Sequence, residues 1–133
     1  MIGDLTYDIH LFPRWKDVSW VEEFGQNYRE IAATRIDVLS PFLYYDDFDL
    51  PMSQVSHMID YTYLEAAGNA EFIPEFDDDY TEGTYVVLFR DYVDWDRIEG
   101  INFLAHSPLT PQKVKNFTRG LDRAGVIWRE RRQ

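Results

Sequence analysis

The first two elements that the hydrophobic pattern predicts are a strand and a helix. Apolar and polar residues alternate over residues 5–11, which is typical of a half-buried strand. Ser19 and Glu22 then form a capping box, so we expect a helix to begin there. Apolar residues continue at helical spacing as far as Leu39, and Pro41 prevents the helix from extending further.

A loop and a second helix are predicted next. Residues 41–51 mix aromatic side chains with aspartates, and we interpret them as an ordered loop. Ser53 can cap a helix that ends near residue 67, with Gly68 in the left-handed position after it. One stripe of this helix contains Val55, Met58, Ile59, Thr62 and Ala66. A second stripe contains His57, Tyr61 and Leu64, so we expect both faces to be covered.

The middle of the chain combines an acidic run with an apolar run. Pro74 and the acidic residues of 75–82 predict an interruption of regular structure. Residues 85–89 are apolar without alternation, which predicts a central strand covered on both faces. Residues 94–96 have the chemistry of a turn, and residues 101–104 predict a further short strand.

The last helix carries the clearest signals. Thr110 is a typical N-cap, Pro111 suits the first helical position, and Gly125 suits the position after the helix. The apolar stripe between them contains Val114, Phe117, Leu121 and Ala124. Residues 126–128 predict a final strand. The complete pattern predicts a single compact α+β domain over residues 1–133, with a small mixed or antiparallel sheet, about three helices and a short basic C-terminal end.

Composition excludes several classes of protein. The chain has 133 residues, of which 45% are hydrophobic, so it is long and apolar enough to form a folded domain and is not a disordered chain. It contains no cysteine, which excludes disulfides, zinc–thiolate sites and cysteine nucleophiles. No segment predicts a signal peptide or a membrane span. We therefore expect a soluble, cytoplasmic protein that does not bind a membrane, located in the host cytoplasm or the virion if it is phage-encoded.

Charge is distributed unevenly along the chain. The net charge of −11 divides into −3 for residues 1–40, −13 for residues 41–100 and +5 for residues 101–133. A well-solvated acidic surface would explain the middle segment without any function. Alternatively, the asymmetry predicts a basic partner, because charge of this kind steers association and does not determine the fold.

The aspartates do not form a recognisable metal motif. A calcium loop beginning at Asp77 would place Glu82 at the glycine position and Leu88 at the glutamate position, so the EF-hand interpretation fails. Magnesium could bind two or three carboxylates, but a catalytic site usually adds a cation, and residues 41–100 contain only Arg90 and Arg97. The candidate ligands are Asp46, Asp47, Asp49, Asp77, Asp78, Asp79, Asp91, Asp94 and Asp96. We expect no metal, no cofactor and no catalytic residue.

Histidines and glycines add no catalytic signal. His10, His57 and His106 are dispersed without the spacing of metal ligands, and we interpret each as a surface or structural residue. No glycine-rich phosphate loop and no nucleophile elbow are present in the sequence.

The C-terminal segment has a partial resemblance to a known fold. Residues 110–132, TPQKVKNFTRGLDRAGVIWRERR, are similar to the last helix and wing of winged-helix domains. That resemblance implies nucleic-acid binding. However, the acidic middle of the chain would repel phosphate, and two preceding helices at the right spacing are not evident, so we expect no direct nucleic-acid binding.

These observations favour a non-enzymatic, acidic protein-interaction module. It would dock a basic partner surface, such as that of a nucleic-acid-binding protein, in the manner of a phage-type or immunity-type inhibitor. The predicted partner-binding residues are Tyr44, Tyr45, Asp46, Asp47, Asp49, Asp77, Asp78, Asp79, Tyr80, Asp94, Trp95 and Asp96. The main alternative is a structural subunit of a virion or similar homo-oligomer, such as a connector or tail component. A carboxylate–metal enzyme and a winged-helix nucleic-acid binder are weaker alternatives.

Overall fold

The computed structural model describes residues 8–11, 37–66, 70–104 and 108–129. Within these ranges the chain forms an α+β fold with three α-helices, as the sequence predicts. The elements in chain order are β1 (Asp8–Leu11), β2 (Val38–Pro41), a 3₁₀ turn (Tyr45–Phe48), α1 (Gln54–Ala66), β3 (Glu71–Phe72), β4 (Glu75–Asp77), α2 (Glu82–Val87), a π-helical turn (Leu88–Tyr92), a second 3₁₀ turn (Trp95–Arg97), β5 (Asn102–Leu104) and α3 (Pro111–Arg123).

The described strand pairs are all parallel. One sheet has the order β1-β2-β3, and β4 pairs with β5 in a second sheet. A parallel bridge between Phe42 and Glu75 joins the end of β2 to β4. The expected mixed or antiparallel sheet is therefore corrected to parallel pairing. Parallel strands require long crossover connections. The segment that contains α1 connects β2 to β3, and the segment that contains α2 connects β4 to β5.

The core lies among these strands and the three helices. Its buried members are Leu43, Val55, Met58, Ile59, Phe72, Phe76, Tyr85, Leu88, Phe89, Val93, Phe117 and Leu121. The Phe117 ring contacts those of Tyr85 and Phe89, with centroids 5.2 and 5.4 Å apart. A Cβ atom at Gly120 would overlap the Cβ of Tyr85, so α3 lies against α2 only because residue 120 has no side chain.

The largest correction concerns residues 85–89, which are helical and not a central strand. Thr81 is the N-cap of α2, and its side chain accepts a hydrogen bond from the backbone N–H of Thr84 at 3.2 Å. Tyr85, Leu88 and Phe89 are buried at helical spacing. A short apolar run fits either period, and here the cap upstream favours the helix.

Three other expectations differ from the structure. Residues 38–41 form β2, so the predicted helix does not reach Leu39. Residues 75–77 form β4 and are buried, together with Asp78, where an interruption was expected. Residues 126–128 form no strand. The strands β2 and β4 pair with segments that are distant in sequence, namely β1, β3 and β5. Residues 126–128 pair with none of the described strands.

The helix α1 is covered on one face. Its stripe of Val55, Met58, Ile59 and Thr62 is buried, as predicted. Leu64, from the second predicted stripe, is 72% exposed, so the expectation that both faces are covered is wrong.

Several local predictions are confirmed. Thr110 accepts from the N–H of Lys113, Pro111 opens α3 and Gly125 follows it at a φ of +80°. The predicted strands are found at Asp8–Leu11 and Asn102–Leu104. The helix start at Ser19 and Glu22, the residues 5–7, Gly68 and His106 lie outside the described residues.

Candidate functional site

Three aspartates meet where two parallel strands end. Asp77 is the last residue of β4, and Asp46 and Asp47 lie on the 3₁₀ turn that follows β2. Each contributes one carboxylate oxygen to a group in which all the atoms lie within 4.8 Å of one another. The two segments are brought together by the parallel bridge between Phe42, just after β2, and Glu75, the first residue of β4. We call these three residues the carboxylate cluster.

The turn that carries Asp46 and Asp47 is held by contacts to β4. The backbone N–H of Leu43 donates to the carbonyl of Glu75 at 2.9 Å. The Tyr44 hydroxyl donates to Glu75 Oε2 at 3.2 Å, and burial, followed by the nearby Glu75 carboxylate, raises the pKa of the Tyr44 phenol. Asp49 ends the turn in the left-handed region, at a φ of 55°. Aspartate is one of the few residues besides glycine that adopt this conformation.

Tyr80 connects the cluster to the aromatic core. Its hydroxyl donates to Asp46 Oδ1 at 2.6 Å, and its ring centroid lies 5.5 Å from that of Tyr45 and 5.3 Å from that of Tyr85. Burial, and then the hydrogen bond to Asp46, raise the pKa of Tyr80 above its ordinary value of 10.0. The Tyr85 hydroxyl donates to the carbonyl oxygen of Asp77. Both tyrosines therefore position the cluster from the side of the core.

An ion pair fixes the segment next to the cluster. Asp78 is only 1% exposed, and its Oδ2 lies 3.1 Å from Nζ of Lys113 in the first turn of α3. A buried carboxylate needs such a partner because its desolvation is costly. Sequence analysis did not identify Lys113 as part of this region, and no local pattern relates two residues this far apart in the chain.

The predicted partner-binding residues differ in exposure. Asp46, Asp47, Asp49 and Asp79 are exposed, and Tyr45 and Tyr80 are partly buried. Tyr44, Asp77 and Asp78 are buried, so the exposed part of the carboxylate cluster consists of Asp46 and Asp47.

The segment Asp94, Trp95 and Asp96 belongs to a different environment. Asp94 caps the second 3₁₀ turn through the N–H of Asp96 and lies 3.4 Å from Nε of Arg97. The Trp95 indole N–H donates to the carbonyl of Phe89 at 2.8 Å. Its polar contacts are therefore within its own turn and to the core.

The carboxylate cluster can hold a cation. Its three oxygens are ligands that hard divalent cations such as Mg²⁺ accept, and they equally suit the ammonium or guanidinium group of a protein side chain. Of the other candidate ligands, Asp91 is paired with Arg90 at 2.8 Å and Asp94 with Arg97. His57 is exposed on α1. Within the described parts of the chain, the cluster is the group of side chains with metal-ligating geometry.

Comparisons with known proteins identify no relative. No family model matches the chain, and neither a curated protein nor a solved structure matches it. Among the residues that the structure describes, no helix has both the length and the apolar character to cross a bilayer.

Proposed function

We propose that this protein is a non-enzymatic interaction module whose carboxylate cluster receives a basic side chain of a partner protein. The observation that supports this function is the convergence of carboxylate oxygens of Asp46, Asp47 and Asp77 within 4.8 Å of one another. Carboxylates from two segments concentrate negative charge at one point, whereas a solvated loop would hold the same charges farther apart. An arginine fork matches carboxylate oxygens in geometry as well as in charge.

The surroundings of the cluster favour a protein partner. Residues 41–100 carry a net charge of −13, a field that accelerates encounter with a positively charged surface. Tyr45 and Tyr80 lie beside the cluster as a partly buried aromatic pair. Tyrosines are enriched at interface positions that dominate affinity, because one end of the ring is apolar and the other polar.

The same three oxygens favour a second candidate, a divalent cation site. A catalytic phosphoryl-transfer site would also need a cation beside the metal to stabilise developing charge. The described cations closest in sequence are engaged elsewhere: Arg90 contacts Asp91, Arg97 contacts Asp60, and Lys113 contacts Asp78. These ion pairs are the reason that the protein-interaction function is preferred.

Two double variants with equal charge change test the proposal. Asp46→Asn with Asp47→Asn disrupts the cluster, and Asp94→Asn with Asp96→Asn removes the same charge from the second 3₁₀ turn. Each is used with the wild type to capture partners from a lysate of the source cell, and binding of the purified partner is then measured by surface plasmon resonance at several salt concentrations. We expect the cluster variant to slow association and flatten its salt dependence, and the turn variant to behave like the wild type.

The other outcomes distinguish the remaining interpretations. Equal weakening by both variants would mean that total charge, and not the cluster, attracts the partner. Unchanged binding of both would contradict the proposal. A melting temperature that rises with millimolar Mg²⁺ or Mn²⁺ in the wild type, and not in the cluster variant, would favour the cation site.

A further inference from the structure

The chain that follows α3 has a fixed direction. The N–H of Gly125 donates to the carbonyl of Asp122, and that of Val126 donates to the carbonyl of Leu121, both at 3.1 Å. With Gly125 at a φ of +80°, these two bonds form a Schellman motif. Val126 packs against the core, as the residue at this position of the motif usually does. The motif therefore turns the next residues away from the helix axis.

The next three residues present apolar and basic groups to solvent. Ile127 is fully exposed and Trp128 is 41% exposed, and Arg129 is also exposed. The indole N–H of Trp128 donates to Asp122 Oδ1 at 2.8 Å, which holds the ring against α3. We call Ile127, Trp128 and Arg129 the C-terminal anchor. An exposed tryptophan with a fixed ring is a typical hot-spot residue, since little side-chain entropy remains to be lost on binding.

We infer that the C-terminal anchor docks on the carboxylate cluster of a second copy of this chain. This inference rests on the proposed function and names the basic side chain that the cluster receives, which is Arg129 of another copy. Charge complementarity supports it at the two patches themselves, because the anchor presents the exposed cation Arg129 and the cluster presents the exposed carboxylates of Asp46 and Asp47. Of the other cations near the C-terminus, Lys113, Arg119 and Arg123 pair with Asp78 and Glu82 of their own chain. Arg129 supplies the guanidinium that the carboxylates of Asp46 and Asp47 suit, and Ile127 and Trp128 supply apolar area for the ring pair of Tyr45 and Tyr80.

The C-terminal anchor binds the carboxylate cluster of a second copy and not that of its own chain. In the structure Ile127 is fully exposed while Asp46 and Asp47 are exposed as well, so one chain presents both halves of the contact at the same time. Such a contact joins two different surfaces and is heterologous. Each added copy leaves one free anchor and one free cluster, so the assembly grows head to tail and forms either a ring or an open chain.

Sedimentation velocity of the full chain with complementary variants tests this arrangement. The anchor variant carries Ile127→Ser and Arg129→Gln, and the cluster variant carries Asp46→Asn and Asp47→Asn. We expect the wild type to form oligomers that grow with concentration and dissociate in high salt. Each variant alone should sediment as a 15.8 kDa monomer. An equimolar mixture should form dimers and nothing larger, because one intact anchor then meets one intact cluster.

A control and two contrary outcomes complete the test. Leu64→Ser removes another exposed apolar side chain, on α1, and should leave the oligomers unchanged. A wild type that is monomeric at every concentration, or a mixture that stays monomeric, overturns the inference. If the cluster variant nevertheless loses a captured basic partner, the proposed function survives and only its self-association fails. If neither partner binding nor oligomers depend on the cluster, both fail.

Discussion

The carboxylate cluster and the turn at Trp95–Arg97 are built from the same kinds of residue and differ in what surrounds them. Each combines aspartates with aromatic rings. In the cluster, carboxylates from two separate segments converge within 4.8 Å. In the turn, Asp94 caps its own backbone and lies 3.4 Å from Arg97, which also contacts Asp60 at 2.7 Å. Local acidity therefore does not define a binding site, because the charges on neighbouring elements decide whether the field is concentrated or neutralised.

Burial separates the two regions as well. The cluster adjoins Asp78, whose carboxylate is buried and paired with Lys113, whereas Asp94 and Arg97 keep half and a third of their side-chain surface exposed. Water screens the pair in the turn and has little access to the pair below the cluster. Substitutions should therefore have larger effects near the cluster than in the turn.

Lys113→Met should destabilise the fold by about 3 kcal/mol, because it removes the ammonium group that lies 3.1 Å from the buried carboxylate of Asp78. The matched variant Arg97→Met breaks the exposed pairs of the turn and should cost about 1 kcal/mol or less. Urea denaturation of both variants measures the difference in the free energy of unfolding. Equal losses would show that burial does not separate the two regions.

Gly120→Ala should lower the free energy of unfolding by about 1–3 kcal/mol, since its Cβ would overlap that of Tyr85 and force α3 away from α2. Gly83→Ala is the control. It adds the same methyl group to α2 where nothing lies within 4 Å, and it should stabilise the helix by up to about 1 kcal/mol. Thermal melts check the opposite signs, and a tolerated Gly120→Ala would contradict the close packing of Tyr85.

Tyr80→Phe should reduce the loss of stability at alkaline pH. Burial and the hydrogen bond to Asp46 raise the pKa of Tyr80 above 10.0, so the unfolded chain releases this proton at a lower pH than the folded chain does. The contribution of Tyr80 is therefore constant below about pH 10, and the free energy of unfolding falls as the pH rises further. Phenylalanine cannot titrate, so the decline should be shallower in the variant.

Asp94→Asn is the comparison for this pH profile. It lies in the turn at Trp95–Arg97 and should leave the alkaline slope of the wild type unchanged. Chemical denaturation across a series of alkaline buffers gives the slopes. An identical decline in the wild type and Tyr80→Phe would separate Tyr80 from the stability of the cluster.

Removal of one charge should change the free energy of unfolding in opposite directions in the two regions. Asp47→Asn relieves repulsion within the cluster and should stabilise the fold by about 0.5 kcal/mol, while Asp94→Asn weakens the pair with Arg97 and should destabilise it by a similar amount. Melts at low and high salt measure both changes, and both should shrink as salt screens the charges. A destabilised Asp47→Asn variant would mean that its carboxylate makes a favourable contact in the fold.

Local chemistry in the sequence determined the elements whose signals lie within a few residues of one another. The helix α3 follows from Thr110, Pro111 and Gly125, because a cap, a first-turn proline and a left-handed glycine each act on the adjacent backbone. The buried stripe of α1 and the turn at Asp94 follow from periodicity and side-chain capping in the same way. These features need no information from distant parts of the chain.

Only the tertiary structure decided what the middle of the chain becomes. Residues 85–89 fit a strand or a helix by composition. The Thr81 cap favours the helix locally, and the packing of Tyr85 against Gly120 holds that helix against α3. Asp77 and Asp78 read as solvated residues in sequence, yet pairing of β4 with β5 and contact with Lys113 bury them. Asp77 meets Asp46 and Asp47 because the segment that follows β2 runs alongside β4, through the Phe42–Glu75 bridge and the hydrogen bond from the N–H of Leu43 to the carbonyl of Glu75. Contacts between segments this far apart depend on packing energy, which no local pattern encodes.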